Sequence, residues 1–253
     1  MKKNLLLSLV FVLLCGGLIV QAQEQPAKSV AGPATTAAGA AAISITANST
    51  PVDLARAAFT AQGGEKFRNV QNMMLRGSVD LYQPNSVQSI PGGFSIVTAG
   101  DKLRMDIDAR PLIVFKQIYD GQQSYSSLPN VELPPITKFG LTLLIKFDQP
   151  GYQVTAIPDK KKQRGFRIAD ADGNTTDFYI DPTTGRVMSF LIYYAGYTFG
   201  TDMKKFKEID GVLVPSSFSQ RFEMPQGAFF ADYNVKEVKL NQTLPEDAFA
   251  IPH

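Results

Sequence analysis

TTDFYIDPTTGRVMSFLIYYAG (residues 175–196), continued by YTFGTDMKKFKEIDGVLVPSSFSQRF (197–222) and GAFFADYNVKEVKL (227–240), decides the fold. All three pieces are dense in aromatic and β-branched residues, which suit a pleated, half-buried surface. Between them stand Asp181-Pro182-Thr183-Thr184-Gly185 and Asp210-Gly211. In such turns glycine supplies a positive φ and proline pre-sets its own, so the flanking strands fold back on one another as antiparallel neighbours.

Working outward, the same pattern recurs upstream. In residues 70–82, Met73, Leu75, Gly77, Val79 and Leu81 alternate with Met74, Arg76, Ser78 and Asp80. That period of two turns one set inward and the other to water. Residues 94–98 and 103–108 continue it around the turn Ala99-Gly100-Asp101, and residues 112–119 and 122–128 flank the hairpin turn Asp120-Gly121. Residues 152–157 are a further strand. Ten or eleven strands result, more than one open sheet carries without curling. The fold class is therefore α+β, a strongly curved antiparallel sheet forming an unclosed β-barrel.

Two helices interrupt the strands. Thr50-Pro51-Val52-Asp53 is a helix start, with a capping hydroxyl, proline in the first turn and an acid near the positive end, and Gly63-Gly64 is its stop. Leu54, Ala55, Ala58 and Phe59 form one apolar stripe along it. The spacing of Ile136, Phe139, Gly140, Leu143, Leu144 and Phe147 predicts a second helix of about three turns, apolar over most of its circumference, which covers or plugs the hollow of the sheet.

The remaining segments set the address and exclude chemistry. Residues 1–22 carry two lysines and an apolar core, ending at Ala22, the pattern of a cleaved secretory signal. The alternative, a retained anchor, needs about 20 apolar residues. Residues 23–49 are an Ala/Thr/Ser/Pro-rich tether without the apolar content to order itself, and residues 50–253 are one domain. Without residues 1–22 the chain loses two of its 25 basic residues and balances 23 against 23, so it has no field for nucleic acid. Cys15 leaves with the signal and the single histidine is His253, so thiolate, histidine-metal and Ser-His-Asp chemistry are not available. No cofactor or metal is called for. Asp106 and Asp108 are a carboxylate pair on alternate strand positions, read as solvated, and the chain is not expected to be an enzyme. The basic turn at residues 159–165 and the acidic turn at residues 170–174 read as solvated hairpin tips.

Several of these features together resemble the LolA/LolB/RseB-like outer-membrane lipoprotein-sorting superfamily. They are the entry helix running into a double glycine (57–64), the strand LRGSVDLY (75–82), Asp120-Gly121, the apolar helix amid strands, Asp210-Gly211 leading to Pro215, and the closing YNVKEVKLN (233–241) with LPEDAFAIP (244–252). The resemblance implies an unclosed barrel with helices as a lid over a cavity for acyl chains. It makes the chain a periplasmic or secreted monomer that carries lipoprotein acyl chains or free lipid. An RseB-like envelope sensor, docking an envelope membrane protein, is the alternative. The cavity lining is expected from Leu75, Val79, Leu103, Met105, Ile107, Phe139, Leu143, Phe190, Ile192 and Phe222. Each of these residue types is equally at home in an ordinary core.

Overall fold

A computed structural model describes residues 45–127, 134–224 and 227–252. The expected signal peptide, its cleavage point, most of the tether, Cys15 and His253 lie outside the described residues. No helix among those residues is long and apolar enough to cross a membrane.

The strands are β1 (Asn72–Tyr82), β2 (Ser89–Ala99), β3 (Lys102–Ala109), β4 (Ile113–Tyr119), β5 (Ser124–Ser126), β6 (Gln153–Ala156), β7 (Arg164–Ala169), β8 (Thr175–Ile180), β9 (Val187–Tyr194), β10 (Tyr197–Ile209), β11 (Val212–Met224) and β12 (Gly227–Leu240). They form one antiparallel sheet in the order β5-β4-β3-β2-β1-β12-β11-β10-β9-β8-β7-β6, with β5 and β6 as the two free edges. The chain thus lays down two meanders, and its first and last strands pair in the middle. The sheet is curled and unclosed, as the strand count implied, with twelve strands where ten or eleven were counted.

Strand β12 carries an extra residue, Lys236, where it meets β1, because the register slips between Arg76 and Gly77. Such a bulge puts an extra residue on one strand and increases the local twist. Gly77 is required there, since a Cβ at that position would lie 2.0 Å from the Asn234 carbonyl oxygen. The Phe94 ring packs against the vacant place and meets Tyr233 edge-on at 5.0 Å, and Tyr233 in turn stacks on Phe218 at 4.6 Å.

Helix α1 (Pro51–Ala61) starts as its sequence dictates. The Thr50 side chain accepts from the Asp53 amide and the Asp53 carboxylate accepts from the Thr50 amide at 3.1 Å. A short helix α2 (Glu65–Arg68) follows the double glycine. Hydrogen bonds from Thr50 hold the Asp53 carboxyl below its usual 3.8. A depressed carboxylate stabilises the fold at pH values above its unfolded range, and that contribution disappears as pH falls through the folded value. Asp53→Asn is therefore expected to flatten the decline of melting temperature with acidification below about pH 4. A wild-type and a variant acid limb that superimpose would contradict the capping role.

The core has two lobes on the concave face. One gathers Leu75, Val79, Phe94, Leu103, Met105, Ile107, Met203, Phe218 and Tyr233 from β1–β4 and β10–β12. The other gathers Leu54, Ala58 and Phe59 of α1 with Phe166, Ile168, Phe178, Ile180 and Val187 of β7–β9. Ordered packing begins before Thr50, in residues expected to be tether. Ile45 packs against the second lobe, and Arg164 donates to the Thr46 carbonyl.

Candidate functional site

The connection from β5 to β6 has to pass from one free edge of the sheet to the other, which brings residues 134–152 across the open concave side. Its helix is shorter than the three turns expected. A 3-10 turn (Ile136–Lys138) leads through Gly140, at φ +58, into α3 (Leu141–Ile145). Two contacts cause the break. The Gly140 amide donates to Thr176 Oγ1 at 2.9 Å, and the Phe190 ring lies 3.0 Å from where a Cβ would stand. Leu141 and Ile145 of α3 pack on the first lobe, whereas Leu143, Leu144 and the following Phe147 belong to the second. Helix α3 therefore fills the space between the lobes.

This cover is fastened by Arg68. Its Nε donates to the Ile145 carbonyl at 3.0 Å, its Nη2 to Asp148 at 2.7 Å and its Nη1 to Glu65 at 2.8 Å, while its guanidinium lies 4.4 Å from the Phe59 ring centroid. One side chain thus ties α1 and α2 to the last turn of α3. Arg68→Ala should raise amide exchange at residues 141–148 at least about fivefold, with little change in the strands. Unchanged exchange in that segment would show that the fastening is not Arg68. Arg104, by contrast, points outward, where it pairs with Asp106 at 2.7 Å and donates to the Ala248 carbonyl.

The ten expected lining residues fall into two groups. Leu75, Val79, Leu103, Met105 and Ile107 are buried in the first lobe, and Leu143 is buried in the second. Phe139 is buried with its ring 5.9 Å from Tyr194. Leu143 and Phe139 thus belong to the crossing segment itself, and Leu141 and Ile145 of α3 pack on the lobe that holds the other five. Phe190 is half-buried against Gly140 and both lobes, Ile192 is buried, and Phe222 is half-buried, all three on the concave side of β9–β11. There Ile192 pairs with Phe199, Phe199 with Phe222, and Phe222 with Phe229, one neighbour per strand.

The result is an aromatic wall at the rim. Phe199 stacks on Phe222 at 4.5 Å and 7°, Tyr197 meets Phe222 edge-on at 5.5 Å, and Phe229 remains 37% exposed. From there the rings lead inward, since Phe190 lies 6.1 Å from Phe178, which stacks on Phe166 at 5.2 Å. The track from the rim to the deep core thus runs from Phe199 through its neighbour Ile192 to Phe190, two positions along β9, with the buried Thr201 beside it. The Tyr233 phenol, in the first lobe, is buried, and burial pushes its pKa above the ordinary range. Phe199, Phe229 and Tyr197 were absent from the expected set, although the period-two pattern that marks Phe222 marks them equally.

Outside the curve lies a recess of about 590 Å³, lined by Arg76, Ser95, Asp106, Asp108, Lys116, Lys236 and Glu237. Its carboxylates are engaged. Asp106 is bonded to Arg104, Asp108 to Arg110 at 2.5 Å, and Glu237 to Lys239 at 2.7 Å. The Arg110 guanidinium holds the Asp108 carboxyl below its ordinary value. A carboxylate held ionised by an arginine is poorly placed to act as a general acid near neutral pH. Among the described residues no cluster of His, Cys, Asp and Glu is arranged to hold a metal ion.

A half-open antiparallel sheet, curled over helices that cross its concave side and leave an aromatic mouth, is a fold shared with solved structures. The similarity is to a LolA superfamily protein from Nitrosomonas europaea, at 12% identity and a TM-score of 0.52, over 80% of this chain and 98% of that one. Weaker likenesses are to a putative outer membrane lipoprotein-sorting protein domain from Vibrio parahaemolyticus (12% identity, TM-score 0.48, 78% and 97% covered) and to the MucA/MucB complex of Pseudomonas aeruginosa (10%, 0.23, 79% and 95%). No protein-family model matches the chain, and no curated protein matches its sequence.

Proposed function

We propose that this protein is an exported, periplasmic binding or carrier protein for a hydrophobic chain, either a lipoprotein acyl group or a free lipid. The observation that carries the reading is the aromatic wall of Tyr197, Phe199, Phe222 and Phe229, left partly open at the rim of the sheet above the buried Ile192. Side chains this apolar would be covered if their purpose were stability alone. Covering about 300 Å² of ligand against them contributes roughly 7 kcal/mol before ordering costs, without a polar contact. A longer chain gains more if α3 swings aside and opens Leu75, Val79, Leu103, Met105 and Ile107 beneath it. Helix α3 suits that role because it is short, starts on a glycine and is held at its end by one arginine.

The test is titration with a fluorescent sixteen-carbon fatty acid, together with lipid mass spectrometry of protein recovered from the cell envelope. Saturable uptake of one chain per protein is expected, with co-purifying lipid. A protein that is recovered empty and takes up no probe is not a carrier of this kind. Recovery of a stoichiometric envelope protein that survives delipidation would favour the sensor reading.

A further inference from the structure

We propose that the rim beside the mouth, built from the β1–β2 turn and the start of β12, is a membrane-contacting edge that dips into the surface of a lipid bilayer. This goes beyond ligand binding and rests on side chains that face away from the mouth. On β12, Ala231 and Tyr233 pack on the core, so the alternation turns Phe230 outward, where it is 43% exposed. Its neighbour across the ladder is Tyr82, the outward residue that follows core-facing Leu81. Val87, in the turn between β1 and β2, is 98% exposed. That turn belongs to the same edge, because Pro84 lies against Gly227, 2.8 Å from where a Cβ would stand.

No core explains an outward phenylalanine here, and the outer face turns polar one inward-outward repeat further along. Asp80 pairs with Asp232 across the ladder, and Asp232 is bonded to Lys204 at 2.8 Å and to Ser219. The apolar zone is therefore a shallow band at the end of the strands. Phe229 and Phe230 are adjacent in the chain, so the end of β12 is apolar on both faces. A protein partner seated on the outward face would leave Phe229 and the mouth in water. A bilayer surrounds the strand end and wets both faces at once, with tyrosine at the headgroup level and phenylalanine and valine below it. Residues 82–89 and 227–231 contain no charged side chain, and the adjacent Arg221 and Glu223 pair with each other at 2.7 Å. The contact therefore needs no anionic lipid.

The chain has no tryptophan, so a single introduced indole reports on one place. Phe230→Trp should shift to the blue on phosphatidylcholine vesicles and be quenched by brominated acyl chains, at low and high salt alike. Val52→Trp, exposed on α1 beside the opposite end of the strands, should respond to neither. In vesicle flotation, the double variant Val87→Asp, Phe230→Asp should lower the bound fraction at least about fivefold. The same variant should still take up the fluorescent fatty acid from solution, which separates loss of membrane contact from loss of ligand binding. The proposal is overturned if Phe230→Trp is silent on vesicles, if both indoles are quenched equally, or if the double variant floats like wild type. It is also overturned if binding requires anionic lipid and vanishes in high salt, a result that would place the contact on the basic turn at residues 159–165.

Discussion

Phe222→Asp is expected to weaken uptake of a sixteen-carbon fatty acid by more than about tenfold while leaving the fold intact. Removing the ring deletes a surface worth about 1.5–3 kcal/mol when fully covered by a ligand, and each 1.4 kcal/mol is a factor of ten. The new carboxylate adds to the loss, because a bound chain would have to desolvate it. Phe222 is half-buried and its stacking partner Phe199 is half-buried too, so water reaches the carboxylate in the empty protein and stability changes little. Val114→Asp, at an exposed position on β4, is the control and should bind as wild type does. Equal affinity for wild type and Phe222→Asp would remove the wall from the site.

The second large effect concerns the fold. Phe178 is fully buried between Phe166 and Phe190, in the lobe where α1, α3 and β7–β9 meet. Truncating such a ring to alanine costs about 3–5 kcal/mol, because the transfer energy is lost and the packed surroundings collapse only in part. For a domain of this size each kcal/mol moves the melting temperature by about 2–4 °C, so Phe178→Ala should melt roughly 10 °C lower. A fall of under about 3 °C would mean that the lobe is loosely packed and that the rings leading inward from the mouth are not a fixed track.

Where local chemistry sets the structure, the residues were enough. The capping box at Thr50 and Asp53, the stop at Gly63-Gly64 and the turns at Asp120-Gly121, Asp181–Gly185 and Asp210-Gly211 each depend on neighbours within a few positions. The curl followed from counting strands. The helix near Phe139 was read too long because its break depends on Thr176 and Phe190, which are 36 and 50 residues away in the chain. Arg68 could not have been singled out, since the Ile145 carbonyl and Asp148 reach it only across the fold. The lining residues show a different limit. Period two separates the concave from the convex face, but it cannot separate concave positions under α3, such as Leu103, from those left at the rim, such as Phe222. That distinction depends on where the crossing segment comes to rest.

Photo-crosslinking tests the central claim most directly. A fatty acid with a diazirine near its terminal methyl, bound at stoichiometric load and irradiated, should attach at Tyr197, Phe199, Phe222 or Phe229, and along the track at Phe178 if α3 has moved. Labelling confined to the outer recess around Arg76, Asp106 and Lys116, or scattered over the surface without saturation, would contradict the account.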